Sequence, residues 1–265
     1  MSDIGYEVRT FDCSGDGERR PVGFGKDLPY EMCLIRHGCF RFRNTHGTVL
    51  VDPTTALLGR ADDFDYEIEH PLPGGDGDTF VLLDAETVAA VAGGDVDLPA
   101  FVHLTPTVEL AHRRLIAAHA QSPQGFSEEE FAVDLLAWTL AAANPLRVSA
   151  GWSTARRRAQ RLVDDARMIL VADPDRSLVD LAAALGCSPH HLSRLFRRHT
   201  GLGVAAYRMS LRVQQALDGL VDGAPSLSDL AAASGFFDHA HLTRSIVDRF
   251  GVSPTALRSI LAPRP

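Results

Sequence analysis

Apolar residues in the second half of the chain recur at the spacing of amphipathic helices. Between 154 and 172, for example, Ala159, Leu162, Ala166 and Ile169 fall on one side of a helix. The same spacing continues to the C-terminus with short polar breaks, so it predicts an all-helical domain. The predicted helices span 154–172, 177–185, 188–199, 204–219, 226–233, 238–250 and 255–261.

Short apolar runs separated by turn residues replace this pattern in the first half of the chain. His37-Gly38 is predicted to turn a hairpin, and the Gly- and charge-rich residues before about 25 are predicted to be loosely ordered. Two helices follow, at 107–120 and after Ser127, which forms a capping-box pattern with Glu130. Many short strands predict a small barrel or sandwich. The predicted strands are 32–36, 39–43, 49–51, 56–58, 66–69 and 79–83.

One segment of the helical half occurs twice. Its first copy runs from Leu181 through a Gly at 186 to a second helix, and its second copy runs from Leu230 through a Gly at 235 in the same way. An apolar helix, a Gly at the turn, a capping residue and a second helix with an outward Arg form a helix-turn-helix. Two such units side by side are typical of a protein that enters two successive major grooves, about 34 Å apart.

The distribution of charge supports this prediction. The whole chain of 265 residues has a net charge of −8, but the part from Trp152 onward holds 15 Arg and 10 Asp. An acidic half joined to an Arg-rich half is expected when one half contacts phosphate. The four Cys do not form a disulfide framework, and no apolar run reaches the ~20 residues of a membrane span. With no signal peptide at the N-terminus, the cytoplasm is the expected compartment and no membrane is involved.

The exposed faces of the two second helices carry the candidate DNA-reading residues. Arg pairs bidentately with guanine, Ser, Thr and His are donors to base edges, and Ala offers a methyl to thymine. Basic residues further along position the protein on phosphates. Ser188 and Asp238 are the predicted helix caps. The predicted base-reading residues are His190, Ser193, Arg194, His239, Ala240, Thr243 and Arg244, and the predicted phosphate contacts are Arg197, Arg198, His241 and Arg249.

Residues 160 to 262 resemble the DNA-binding domain of the AraC/XylS family of bacterial transcriptional regulators. The resemblance lies in the Leu-Ser-Arg-Leu-Phe stretch that begins at Leu192, in Tyr207-Arg208, and in the second copy from Leu230 to the Phe-Gly-Val-Ser-Pro stretch that begins at Phe250. It implies sequence-specific promoter binding and, often, contact with RNA polymerase. It also implies an N-terminal cupin-like β-barrel followed by two helices that bind a small-molecule effector or form a homodimer.

The predicted fold is therefore α+β, with three parts. Residues 1–145 form the cupin-like effector-binding or dimerisation domain, 146–155 the linker, and 156–265 the double helix-turn-helix domain. A metalloenzyme of the cupin type would need closely spaced His residues, whereas His37, His46 and His70 are scattered, so no metal or other cofactor is expected. Cys33 and Cys39 are interpreted as buried structural residues rather than as metal ligands or redox sensors.

The sequence thus predicts a transcriptional regulator that is not an enzyme. Two alternatives remain open at this point. One is a cupin-type metalloenzyme fused to a DNA anchor, and the other is a regulator whose N-terminal domain binds a protein partner and no small molecule.

Overall fold

A computed structural model describes residues 5–15, 28–44, 47–60, 67–94, 101–121, 126–142, 154–224 and 226–261. Within these ranges the chain has eight strands and ten helices. The first two strands are both antiparallel partners of the seventh. The strands are β1 (Tyr6–Cys13), β2 (Tyr30–Gly38), β3 (Phe40–Asn44), β4 (Gly47–Val51), β5 (Thr55–Arg60), β6 (Glu67–Glu69), β7 (Asp76–Leu83) and β8 (Phe101–His103). The helices are α1 (Ala85–Ala92), α2 (Pro106–Gln121), α3 (Phe126–Ala142), α4 (Thr154–Ala172), α5 (Leu178–Ala184), α6 (Pro189–Thr200), α7 (Val204–Val221), α8 (Leu227–Ala233), α9 (His239–Phe250) and α10 (Pro254–Leu261).

The strands form two antiparallel sheets, one in the order β1-β7-β2-β5-β8 and one in the order β4-β3-β6. Alternation along β2 separates two cores. Met32 and Leu34 pack with α1, α2 and α3 on one face of the larger sheet. Cys33 and Ile35 pack on the other face, against apolar side chains of β3 and β4 in the smaller sheet. The mixed α/β character predicted from the sequence is confirmed, as are the two helices that follow the strands.

Three local predictions were wrong. The N-terminal segment is not loosely ordered over its described part, because β1 pairs along its whole length with β7. His37-Gly38 does not turn a hairpin, because β2 and β3 belong to different sheets and Gly38 (φ 74°) turns the corner between them. A Cβ on Gly38 would lie 2.2 Å from the Gly75 carbonyl oxygen, so this corner requires glycine. Ser127 does not precede its helix, since α3 already begins at Phe126.

The C-terminal half is entirely helical over its described residues, as predicted. One core joins α4, α5 and α6 to the beginning of α7, with Val204, Tyr207 and Leu211 as its α7 members. A second core joins α8, α9 and α10 to the rest of α7, starting at Val213. The helix α7 is therefore shared between both helix-turn-helix units. Most of the predicted linker lies outside the described residues, and α4 begins at Thr154. None of the described helices is long and apolar enough to cross a bilayer.

Candidate nucleic-acid interface

The two helix-turn-helix units are built by the same local interactions. Ser177 caps α5 by accepting from the Asp180 amide, and Ser226 caps α8 by accepting from the Asp229 amide. Each first helix then ends at a Gly of positive φ, 64° at Gly186 and 71° at Gly235. The residue after each Gly donates its N–H to a carbonyl five residues back, at 3.0 Å in the first unit and 2.8 Å in the second. These paired bonds are the Schellman arrangement, which sets the angle at which the next helix leaves.

The second helix of each unit also begins and ends in the same way. The Ser188 side chain accepts from the His191 amide at 3.2 Å, and the Asp238 side chain accepts from the His241 amide at 2.6 Å. Both side chains thus occupy the N-cap positions expected from the sequence. Both helices end at a left-handed Gly, Gly201 and Gly251. The repeat in the sequence is therefore a repeat in backbone geometry.

Helix α6 presents a basic face to solvent. Leu192 and Phe196 are fully buried, and the Phe196 ring packs edge-on against Tyr207 with centroids 5.2 Å apart. These contacts fix the rotation of the helix, so the opposite face points outward. His190, Arg194, Arg197 and Arg198 are exposed and Ser193 is half-buried. No ion pair within the described residues involves any of the three Arg side chains on this face, so their guanidinium groups are available to an anionic partner.

Helix α9 presents a smaller polar face of the same kind. Leu242 and Ile246 hold it on its core, while His239 and Arg244 are exposed and Ala240 and Thr243 are half-buried. His241 is half-buried, and its ring packs edge-on against Phe236 with centroids 5.2 Å apart. The side chain of Arg244 therefore occupies the position on α9 that Arg194 occupies on α6.

Arg249 does not match its predicted role as a free phosphate contact. Its Nε donates to Glu109 Oε2 at 2.7 Å, and its second nitrogen pairs with the other carboxylate oxygen. Glu109 belongs to α2 in the N-terminal half, and its side chain is 1 % exposed. Burial raises the pKa of Glu109, and the Arg249 guanidinium opposes that rise. In this arrangement the bidentate pair occupies the guanidinium that phosphate would need.

Beside this pair, Arg113 of α2 forms a second polar contact with the helical half. Its side chain is fully buried, its Nε lies 2.8 Å from Asp218 Oδ1, and it donates to Gln214 Oε1 at 3.0 Å. It also contacts His112 Nδ1 at 2.7 Å, and burial together with the Arg113 charge holds the pKa of His112 well below its ordinary value. The neutral imidazole therefore accepts from Arg113. Helix α2 is thus attached to both α7 and α9.

A third contact, which we call the Asp52 cluster, joins Asp52, Arg167 and Tyr207. Asp52 lies in the turn between β4 and β5, and its Oδ2 accepts from Arg167 Nε at 2.9 Å and from the Tyr207 hydroxyl. All three residues are buried. Burial and the neighbouring Asp52 charge raise the pKa of Tyr207 well above its ordinary value, so the phenol stays protonated and donates. The cluster attaches the first helix-turn-helix unit to the N-terminal sheets.

Sequence reasoning missed these contacts between the two halves. A usable signal was present in the charged residues on otherwise apolar helix faces. Glu109 follows Val108 on α2, and Arg167 follows Ala166 on α4, at positions where a solvated charge would interrupt the buried stripe. Such residues are buried only when paired. Their partners lie too far away in sequence to be identified from spacing.

The Cys residues of the N-terminal half lie in two kinds of surroundings, two of them in the core and one beside other potential metal ligands. Cys33 and Cys39 are both buried, and burial raises the pKa of the Cys39 thiol to about 12, which disfavours the reactive thiolate. His37, which lies between these two Cys in the sequence, is exposed, and its Nε2 lies 3.4 Å from Asp12 Oδ1. Cys13, His70 and Asp76 do converge, with one potential ligand atom of each within 4.8 Å of the others.

Comparison with known proteins identifies the helical half. Residues 181–260 match a family described as a helix-turn-helix domain. The chain is 35 % identical over 81 residues to YidL, an HTH-type transcriptional regulator of Escherichia coli K12, covering 31 % of this chain and 27 % of that protein. It is 35 % identical over 78 residues to the HTH-type transcriptional regulator GlxA of Rhizobium meliloti, covering 29 % of this chain and 24 % of GlxA. The chain thus spans about a quarter of the curated relatives it matches.

Solved structures give a looser likeness over longer stretches. Fatty-acid-bound ToxT of Vibrio cholerae aligns over 100 % of both chains with a TM-score of 0.38 and 11 % identity. A regulator of Chromobacterium violaceum with an AraC-type DNA-binding domain aligns over 41 % of this chain and 98 % of its own, with a TM-score of 0.38 and 24 % identity. The family match runs from Leu181 into α10, so both copies of the repeated segment lie within a helix-turn-helix domain.

Proposed function

We propose that this protein is a sequence-specific DNA-binding transcriptional regulator of the AraC type. The observation that carries the proposal is the structural equivalence of α6 and α9, each capped, oriented and terminated alike and each with an exposed Arg at the same position. Two recognition helices, α6 and α9, on one domain select an asymmetric DNA site that spans two successive major grooves, about 34 Å apart. The base-reading and phosphate-contacting roles assigned from the sequence stay proposals, with Arg194 the strongest of them.

Arg194 provides the direct test, because its side chain is exposed and makes no ion pair within the described helical half. A binding selection on genomic fragments with the full chain should return two short sequence blocks about ten base pairs apart. Arg194→Ala should weaken binding by about 1–3 kcal/mol and relax one base position within one block.

Arg43→Ala is the matched control, since Arg43 is an exposed Arg on β3 whose side chain is 59 % accessible. It should leave both the affinity and the selected sequence unchanged. An Arg194→Ala protein that selects the same sequence with the same affinity would show that α6 does not lie in the groove as proposed. A full chain that enriches no sequence would refute the proposed function itself.

The remaining assignments concern the whole chain. Residues 1–145 are proposed as a cupin-like barrel domain that binds a small-molecule effector or forms a homodimer, 146–155 as a linker and 156–265 as the DNA-binding domain. RNA polymerase is the proposed protein partner and the cytoplasm the proposed compartment. The protein is proposed to act by binding rather than by catalysis, because the charged side chains that it exposes on α6 and α9 suit DNA recognition.

The N-terminal half is proposed to regulate DNA binding by α9, the second recognition helix, through Glu109. The Glu109 carboxylate competes with DNA phosphate for the same guanidinium on α9, since a bidentate pair leaves Arg249 few free donors. Leu110, next to Glu109 on α2, packs against the core of the second helix-turn-helix unit and holds the pair in place. A movement of α2 would release Arg249 for a phosphate.

Glu109→Gln tests this competition, because the amide keeps the shape of the side chain and removes its charge. The variant should bind DNA more tightly than the parent, and the slope of log K against log salt should steepen by about 0.9, the value of one added phosphate contact. Arg249→Ala in the Glu109→Gln background should restore the parental slope. Glu67→Gln, which removes an exposed carboxylate from the pair with Arg43, should change neither quantity. An unchanged slope in Glu109→Gln would refute the competition.

A further inference from the structure

Cys13, His70 and Asp76 meet at one end of the larger sheet. Cys13 is the last residue of β1 and lies directly opposite Asp76, the first residue of β7, in the antiparallel register. Directly opposed residues direct their side chains to the same face, with Cβ atoms about 4.5–5.5 Å apart. His70 follows β6 and approaches from the loop, with its Nε2 2.8 Å from Asp76 Oδ1. One potential ligand atom from each residue lies within 4.8 Å of the other two.

Burial distinguishes this group from an ordinary surface cluster. The side chains of His70 and Asp76 are 1 % and 0 % exposed. The second ring nitrogen of the imidazole, His70 Nδ1, is also buried and has no hydrogen-bond partner among the described residues. A buried polar nitrogen without a hydrogen-bond partner is destabilising, so this imidazole is not explained by hydrogen bonding within the fold alone. Cys13 is only partly buried, which leaves a path from solvent to the group.

The backbone around the group is tightly fixed. Gly75 has a φ of 66°, and a Cβ at that position would lie 1.8 Å from the Cys13 carbonyl oxygen. Gly15 has a φ of 79°, and a Cβ there would lie 2.9 Å from the Gly75 nitrogen. These close approaches hold the loop that precedes β7 directly against the end of β1. The three side chains are therefore carried on backbone segments that constrain one another, which is what a preorganised ligand set requires.

We propose that Cys13, His70 and Asp76 bind one Zn²⁺ ion. A thiolate, an imidazole and a carboxylate are the three protein ligand types that Zn²⁺ accepts in tetrahedral sites, and three protein ligands leave the fourth position to water. The half-buried thiol places that fourth position on the solvent side. The ligand set assigned here is independent of DNA binding, and it is a site that the spacing of His residues in the sequence did not predict.

The geometry needs only side-chain adjustments to accept the ion. Tetrahedral bonds of about 2.0–2.2 Å to nitrogen and oxygen and about 2.3 Å to sulfur place the ligand atoms about 3.4–3.6 Å from one another. The His70–Asp76 contact of 2.8 Å must open slightly, and the widest separation, at most 4.8 Å, must close by about 1 Å.

The bound ion would join β1 to the loop between β6 and β7. Strand β1 is an edge strand of the larger sheet and pairs with β7 alone within the described residues. An ion ligated from both sides of that pairing stabilises the edge, because Zn²⁺ binds the folded site and the unfolded chain lacks it. Zinc should therefore raise the temperature at which the full chain unfolds.

The test uses the full chain stripped of metal by a chelator and then titrated with Zn²⁺ against a chromophoric competitor. One equivalent should bind per chain. Cys13→Ser should weaken Zn²⁺ binding by at least tenfold, and it should remove the thiolate-to-metal charge-transfer band that Co²⁺ gives with the parent. Cys187→Ser is the matched control, since Cys187 is a half-buried thiol in the helix-turn-helix domain, and it should keep both properties.

Zn²⁺ uptake and the unfolding temperature distinguish a metal site from a buried His70–Asp76 pair that merely lies near a thiol. The proposal is overturned if the metal-free parent takes up no Zn²⁺ at one equivalent, or if Cys13→Ser binds Zn²⁺ as the parent does. Zn²⁺ should raise the unfolding temperature of the parent and of Cys187→Ser but not of Cys13→Ser. The comparison rests on Cys13→Ser and not on a change at the buried His70, because the Cys13 side chain is partly exposed and its replacement leaves the buried His70–Asp76 pair intact.

Discussion

Asp52→Asn should be among the most destabilising conservative substitutions in this protein. Asp52 Oδ1 accepts from the backbone and hydroxyl of Thr54 and shapes the β4–β5 turn, while Oδ2 accepts from Arg167 and Tyr207. An Asn amide retains one of these oxygens but presents N–H donors to the groups that donate to the other. The variant would therefore bring donors together in a buried site and leave the Arg167 charge poorly compensated.

The expected loss follows from the burial of the pair. Arg167 and Asp52 approach to 2.7 Å with side chains 4 % and 0 % exposed. Two charges about 4 Å apart at an effective dielectric constant of 20 attract by about 4 kcal/mol, and removing one partner of a buried pair typically costs about 3–5 kcal/mol. Burial alone would lower the pKa of Arg167, and the Asp52 charge opposes that fall, so losing Asp52 leaves a buried guanidinium without its main compensating charge. Asp164, at 3.2 Å, compensates for it in part.

Urea unfolding of the full chain, followed by far-ultraviolet circular dichroism, measures the loss. Asp52→Asn should lower the unfolding free energy by about 3–5 kcal/mol, and Tyr207→Phe, which removes one donor to the carboxylate, by about 1.5–3 kcal/mol. The double variant Asp52→Asn, Arg167→Met should lose less than the sum of its single changes, because it removes both charges. Glu67→Gln, at an exposed pair, should cost under about 0.5 kcal/mol. A loss below about 1 kcal/mol in Asp52→Asn would refute the argument.

Two further substitutions test each half of the chain separately. Glu31 on β2 is 2 % exposed, and burial raises the pKa of its carboxyl from 4.5 to about 8. Between these two pH values the folded chain keeps a proton that the unfolded chain loses. The unfolding free energy should therefore fall as pH rises from 4.5 to about 8. Glu31→Gln should remove up to about 4–5 kcal/mol of that fall in urea titrations at several pH values, and an unchanged profile would contradict the burial argument. In the helical half, Gly186→Ala should cost about 1–2 kcal/mol at φ 64°, although no atom lies within 4 Å of the added Cβ. Gly203→Ala, at φ −73°, should stay within about 0.5 kcal/mol in the same thermal unfolding measurement, and equal losses at both positions would show that backbone strain is not the cause.

The helical half was predictable from the sequence because its determinants are local. Apolar spacing, caps such as Ser188 and a Gly at each turn act within a few residues of one another, so a single stretch of sequence specifies the whole unit. The predicted helix 188–199, for example, is observed as Pro189–Thr200. The same reasoning fixed which faces of α6 and α9 are exposed, since the buried Leu and Phe positions determine the rotation of each helix.

The N-terminal half was predicted less well because its determinants are distant in sequence. The prediction of strands and two helices was correct, but nothing near Cys13 indicates that β1 would pair with β7 far along the chain. The corner at Gly38 has the local pattern of a hairpin, and only the pairing of its flanking strands with others distinguishes the two. The pairing of Arg249 with Glu109 was equally hidden, because a basic residue at the end of a recognition helix has the same sequence signature whether it contacts phosphate or protein.

The sharing of α7 between two cores has a consequence for how such a protein changes over evolutionary time. The buried α7 residues of the first core end at Leu211 and those of the second begin at Val213, on a helix of 18 residues, about 27 Å long. One residue inserted between these positions would turn one unit relative to the other by about 100° and displace it by about 1.5 Å. Under the proposed function, α9 would then face away from the major groove that it is proposed to read. New operator sequences would then be accessible through substitutions on α6 and α9, whereas new operator spacings would require the rebuilding of a core.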